Sequence, residues 1–313
     1  MTSKINILGD SDNNRISRYD KDLARKLNEE TEKQIRQEKI KAKLDAKNKP
    51  KQNTITESTP PTISPPLLDF KYAFFLGGEF GKQINQKVQE RYGFSTAITK
   101  VVYNDQNKVI TGSTPFYVTA VNEILKEQFP QFRTATHADL EKILKSSTLK
   151  LSGYYEDTSL VLRTKQDPNS YLAQDLFEQF KSKGINLKED SVYVLPLFTL
   201  KLRKDNNSIY KLSFNVTDST IQNFFDAPIL FSQSERYFNS VEMDEKTGLP
   251  TKIYTKQVAG NRQLWIRDSG LAGLCLNRVL DINSNYEYLS NCDTVGRVVV
   301  VSNEDPSKFG VNI

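Results

Sequence analysis

Between Arg262 and Ser302 a ladder of Leu274, Leu276, Leu280, Ile282 and Leu289 is interrupted at nearly every step by small or polar residues, and this alternation constrains the fold most. Leu274, Leu276, Leu280 and Ile282 share one parity, whereas Cys275, Asn277, Val279, Asp281, Asn283 and Asn285 share the other. Successive side chains of a strand point to opposite faces, so one set is expected on a core and the other facing outward. The stretch opens near the only tryptophan, Trp265, and ends on the uncharged run Val298 to Val301. It holds both cysteines, Cys275 and Cys292, and no lysine occurs between Lys256 and Lys308. A scaffold carrying such miscellaneous polar groups reads as a binding face. Tyrosine supplies contact area at low entropy cost, and Asn, Asp and Ser supply adaptable hydrogen bonds. A solvated edge strand with its turn is the plainer alternative.

Composition narrows the remainder. A chain of 313 residues has room for one large domain or two smaller ones. No apolar run approaches the roughly 20 residues of a membrane helix. The first fifteen residues lack the apolar core of a secretory signal, so a cytoplasmic protein with no membrane span is expected. Two cysteines do not make a disulfide framework. The net charge of +5 is uneven: residues 1–66 carry 14 Lys or Arg against 10 Asp or Glu, and the rest carry 29 against 28. The folded part therefore shows no nucleic-acid signature in its charge.

Along the chain, residues 1–17 are patternless and expected to be disordered. Residues 18–51 favour helix but carry only a thin apolar stripe, so this basic segment reads as a solvated helix or one that meets a partner. Residues 52–66, rich in Thr, Ser and Pro, read as a linker, which places the domain boundary near Leu67. Beyond it, a buried strand is predicted over 67–78, a helix from Phe80 to Tyr92, and a loose strand over 95–103 turning back at Asn104 to Asn107. Thr114-Pro115 starts a helix with a capping hydroxyl and Pro at its first position. Thr136 and Asp139 have capping-box spacing for the next helix. The only histidine, His137, lies in that helix's first turn and reads as a surface or capping residue. A strand over 153–163, a helix capped at Asn169 or Ser170, strands over 192–202 and 209–216, and a short helix over 220–225 follow. Runs of helices and strands, rather than strict alternation, predict an α+β fold.

Recognisable catalytic and metal chemistry is sparse. There is no GxSxG elbow, and the glycines at 77, 78 and 81 have neither phosphate-loop spacing. Asp281-x-Asn283-x-Asn285 begins like a calcium loop but has Tyr286 where glycine is required and Cys292 where glutamate is required. No metal site, catalytic residue or cofactor is assigned. The genetic code adds a sharper pattern. Randomising the adenines of an AAC or AAT codon can give Asn, Asp, Tyr, Ser, Cys, Gly and others, but never Lys, Glu, Gln, Met or Trp. From Asp268 to Thr294 only Glu287 belongs to the excluded set, which marks it as a fixed position.

Gly112-Ser-Thr-Pro-Phe-Tyr117, Arg133-Thr-Ala-Thr-His-Ala-Asp-Leu140, Tyr155-Glu-Asp-Thr-Ser-Leu-Val-Leu-Arg163, Ser269-Gly-Leu271 and Gly296-Arg-Val-Val-Val-Val301 resemble the variable proteins of diversity-generating retroelements, particularly the archaeal type. The resemblance runs from about Gly112 to Ser302. It implies a C-type lectin-like domain over 67–313 behind the basic tail, with a variable region at about 265–297. It also implies a non-enzymatic ligand-binding protein, its surface diversified by adenine-targeted copying, that meets a protein or other surface ligand. Leu271, Leu274, Leu276, Leu280, Ile282, Leu289 and the valine strand would be scaffold. Asp268, Cys275, Asn277, Asp281, Asn283, Asn285, Tyr286, Tyr288, Asn291 and Asp293 would be the diversified ligand-binding positions. The Arg-Thr-x-Thr-x-x-x-Leu helix start also resembles the formylglycine-generating-enzyme branch of that fold. An enzyme of that type, using Cys275 or Cys292, is one alternative, and an adaptor binding partners or nucleic acid through the basic helix of residues 18–51 is another. The enzyme's cysteine pattern is not matched, nor are the calcium and sugar motifs of animal C-type lectins.

Overall fold

Short-range chemistry sets the helices. A computed structural model describes residues 69–164, 171–196, 199–203, 208–231, 236–290 and 294–311. The readings for the tail and linker, and the cap at Asn169 or Ser170, fall outside the described residues. In chain order the elements are β1 (Tyr72–Phe75), α1 (Gly78–Tyr92), β2 (Val102–Asn104), β3 (Val109–Thr111), α2 (Pro115–Gln128), β4 (Phe132–Thr134), α3 (His137–Ser146) and β5 (Tyr155–Arg163). There follow α4 (Tyr171–Ser182), β6 (Val192–Pro196), β7 (Thr199–Leu202), β8 (Leu212–Asn215), α5 (Asp218–Asn223), β9 (Phe225–Asp226) and β10 (Arg236–Phe238). The last strands are β11 (Arg262–Trp265), β12 (Gly270–Leu276), β13 (Ile282–Asn283), β14 (Gly296–Arg297) and β15 (Val299–Ser302).

Thr114 caps α2, its hydroxyl accepting from Tyr117 N, and Pro115 fills the first position, where a missing N–H costs nothing. Thr136 and Asp139 form the reciprocal capping box of α3. Asp139 also takes both arms of the Arg133 guanidinium, so one carboxylate ties β4 to the helix start. Gly184, with φ 78°, follows α4 and permits a left-handed exit.

The architecture is mixed α+β. The larger sheet runs β10-β11-β13-β12-β5-β6-β9, with β14 beside β5, and curls into a half-barrel. A second sheet has the order β1-β15-β4, and the hairpins β2-β3 and β7-β8 stand apart. One core packs Phe74, Phe80, Phe116, Phe132, Leu162 and Val300 beneath α1, α2 and α4. A second, with Val161, Val194, Leu230, Phe238, Leu264 and Leu274, fills the opposite face of the larger sheet. Leu140, Ile143, Leu276, Val299 and Val301 join α3 to both sheets. No helix among the described residues is long and apolar enough to cross a membrane.

Three local expectations are corrected. Residues 95–100 form turns, because Ser95 O accepts from Ile98 N and Thr99 N and tucks Ala97 and Ile98 into the core. Only the end of that stretch becomes β2, and its turn forms as expected, with Asn104 Oδ1 accepting from Gln106 N and Asn107 N. The apolar run 192–202 is shared between two sheets: β6 lies beside β5 and ends at Pro196, and β7 pairs with β8. His137 is buried, not a surface residue. The turn over 244–250 closes on α3 through Gly248, whose φ is 70° and where a Cβ would stand 2.7 Å from Ala138 Cα.

Candidate functional site

The lysine-free stretch supplies β11, β12 and β13, and its connections are built from its own polar side chains. β12 runs antiparallel to β13, and β11 runs parallel to β13 with Trp265 opposite Asn283. Between β12 and β13, Asn277 Oδ1 accepts from Val279 N at 3.0 Å and from Asp281 N at 2.9 Å. Leu280 takes a left-handed conformation, φ 70°, which these side-chain bonds over-determine. The Asp281 carboxylate turns inward, accepting from Gln263 N at 2.8 Å and from Trp265 Nε1 at 3.3 Å. Asn277 and Asp281, expected as display positions, thus hold the turn closed.

Arg262 anchors the same turn from below. Its Nε donates to Leu280 O, and its two terminal nitrogens pair with Glu141 of α3 at 2.8 Å each. The guanidinium also lies over the Phe238 ring, 4.8 Å from its centroid. Beside this pair His137 is fully buried, with neither ring nitrogen hydrogen-bonded among the described residues. Burial first, and Arg262 after it, push its pKa down to about 4 against the pull of Glu141, so it is neutral at pH 7.

The expected division of β12 into a core face and an outward face does not hold. All seven residues of β12 are buried. β12 is an interior strand between β13 and β5, and the chain after β13 runs back beside it, Gly273 N donating to Tyr286 O at 3.1 Å. That return also brings Leu289 against Gly273, where an added Cβ would lie 3.9 Å from the leucine and 3.6 Å from Asp157 Oδ1. Cys275 is therefore buried completely, its thiol 3.5 Å from Asn283 O. Asn283 is buried too, its Oδ1 satisfied by Asn285 N at 3.0 Å.

Beneath this covered strand lies a cluster of ionisable groups. The ladder between β12 and β5 shifts register at Leu274/Cys275, and Thr158 Oγ1 donates to Leu274 O at 3.0 Å across the irregularity. Tyr155 and Asp157 lie on the Cys275 face. Burial lifts Asp157 well above the ordinary carboxylate range. Burial, then Asp157, drives Glu156 up to about 9 although Arg297 opposes the shift. Burial, then Asp157, likewise raises the Cys275 thiol, and burial, then Asp157, raises the Tyr155 phenol. At pH 7 Glu156, Tyr155 and Cys275 are neutral, and a thiol held protonated is a poor nucleophile and metal ligand. Among the described residues no group of three or more His, Cys, Asp or Glu could hold a metal ion.

The return segment is open to solvent, as are Arg278 and Val279 in the β12–β13 turn. Tyr286 is 44% exposed and Tyr288 is 71% exposed. Glu287 between them pairs with Arg267 at 2.9 Å, and the Tyr286 ring meets Tyr155 edge-on at 6.2 Å. Asp268 and Asn285 are half-buried at the same end of the sheet. Asn291 and Asp293, like Cys292, lie outside the described residues. The structure thus gathers Asn285, Tyr286 and Tyr288 on one segment, directs Asn277 and Asp281 into a turn, and buries Cys275 and Asn283.

Sequence reasoning missed two supports of this face. Arg267 carries no local signal, but its partner Glu287 is the residue that codon composition sets apart. Arg163, at the end of β5, is fully buried and donates to Leu230 O, Ser284 O and Ser284 Oγ. Its place at the end of the Tyr155 to Arg163 motif is its only mark in the sequence. Searches of protein-family models, curated proteins and solved structures find no match to this chain.

Proposed function

We propose that this chain is a non-enzymatic ligand-binding protein. Its C-type lectin-like domain displays a face diversified by retroelement-directed adenine mutagenesis. The observation that carries the reading is the coincidence of solvent access and codon pattern on one segment: exposed Tyr286 and Tyr288 and half-buried Asn285 are all accessible from an adenine-randomised AAC or AAT codon, and the main chain that bears them is bonded to β11 and β12. The proposed face comprises Asp268, Asn285, Tyr286 and Tyr288, with Asn291 and Asp293 included on sequence grounds. Cys275 and Asn283 are excluded by burial, and Asn277 and Asp281 by their bonds within the turn. The ligand is a protein or other surface met by tyrosine and amide groups.

Sequencing this gene across sister populations, together with its genomic neighbourhood, tests the reading. Substitutions are expected to concentrate at these positions, beside a template repeat and a reverse transcriptase gene. An even spread of substitutions with neither neighbour would overturn it. Catalysis through Cys275 is disfavoured by the thiol's burial and raised pKa.

A further inference from the structure

The exposed segment is tied down by groups outside its display positions. Arg163 bridges two connections: Nε and Nη2 donate to Leu230 O at 3.2 and 2.9 Å, and Nη2 also donates to Ser284 O at 3.1 Å and Ser284 Oγ at 2.8 Å. Ser284 N donates to Trp265 O at 2.8 Å, so the start of the segment is held from both sides. At its middle, Arg267 follows β11, bridges Phe231 through its main chain, and pairs its guanidinium with Glu287. At its end, Leu289 is buried in the main core. Tyr288 and Asn285 make none of these contacts with their side chains. Glu287 is also the single residue in the stretch that adenine randomisation of an AAC or AAT codon cannot produce. A residue type that such randomisation cannot produce and an ion pair at the same position are independent observations.

We propose that Arg163 and the Arg267–Glu287 pair are positioning residues of the binding face, latching the main chain of residues 284–289 so that side chains 285, 286 and 288 can change without moving it. This rests on the binding face proposed above. Arg163 fixes where the segment leaves β13. Glu287, turned back onto Arg267, sends its two tyrosine neighbours to solvent on either side. The latch uses main-chain atoms, the Ser284 hydroxyl and one ion pair, so its geometry does not depend on which side chains are displayed at 285, 286 and 288.

Hydrogen–deuterium exchange of the full chain, followed by mass spectrometry of the peptide spanning 284–289, tests this. The N–H groups of Ser284, Asn285 and Leu289 are internally bonded and report opening. Glu287→Gln is expected to speed their exchange by up to about five-fold, the scale of a half-exposed ion pair. The melting temperature and the exchange of β5 and β12 should not move. The charge swap Arg267→Glu with Glu287→Arg should restore protection. Arg163→Lys should speed exchange by roughly ten-fold or more, because charge-assisted bonds are lost. If that variant does not fold, Glu287→Gln and the swap decide alone. Tyr288→Ser and Asn285→Ser should stay within about two-fold of the parent. Unchanged exchange in Glu287→Gln, no rescue by the swap, or equal loosening by the display variants would each overturn the latch. An even spread of natural substitutions would remove the diversified face while leaving the exchange result standing, so the two failures are distinguishable.

Discussion

Replacing Glu156 by glutamine should flatten the dependence of stability on pH, and the size of the effect follows from where the carboxyl sits. Glu156 is 1% exposed, and neither carboxyl oxygen has a hydrogen-bond partner among the described residues. Burial, reinforced by Asp157, lifts its pKa from 4.5 to about 9. Above pH 4.5 the unfolded chain releases this proton while the folded chain keeps it. The unfolded state is therefore favoured progressively from pH 4.5 up to about 9. Each pH unit in that window costs about 1.4 kcal/mol, so the penalty is less than about 1 kcal/mol at pH 5 and roughly 3 kcal/mol at pH 7. Glutamine keeps the size and polarity of the protonated acid and cannot ionise. The variant should gain on the parent steadily from pH 5 to pH 8, a difference readable as diverging urea midpoints followed by Trp265 fluorescence. Asp157 is present in both proteins and acts on Glu156, so the comparison reads Glu156 together with its coupling to Asp157. The slope decides the matter, since an amide in a carboxyl's place can offset the whole curve. Parallel midpoints across that range would refute the reasoning.

Gly248→Ala should lower the melting temperature by several degrees: its φ of 70° strains an L side chain, and the new Cβ would collide with the α3 backbone at Ala138. An unchanged melting curve would show that the 244–250 turn does not clamp α3. In a Cys292→Ser background, Cys275 should resist a thiol reagent in the folded protein and react fully in denaturant. Labelling of the native protein at a free-thiol rate would contradict its burial.

The parts legible in the sequence are those fixed within a few residues. Thr114-Pro115 and the Thr136–Asp139 pair announce α2 and α3 because a cap is satisfied locally. The Asn104 turn is legible for the same reason. What failed depends on distant chain. His137 looks like a helix-start surface residue until the Gly248 turn covers it. β12 looks two-faced until Leu289 and Tyr286 return over it, and cysteine is as content in a core as leucine. Asn283 keeps its place there because Asn285 N satisfies it. For the candidate site, the sequence singled out a stretch whose polar residues the structure divides between a turn, the core and an exposed segment. Asn277 and Asp281 look like display residues by type, yet turn residues bond to their own main chain, and that signal was available in the spacing.

The order β1-β15-β4 has a consequence for how the molecule is made. Its middle strand is synthesised after both of its flanking strands. Until Val299 to Ser302 leave the ribosome, the edges of β1 and β4 wait unpaired and the phenylalanines beside Val300 lack their cover. Closure of the small sheet thus waits for translation of β15, which follows the stretch that carries the exposed tyrosines. A nascent chain cut short inside that stretch has no strand to zip the small sheet together. A molecule with the small sheet closed has therefore had its exposed segment translated in full.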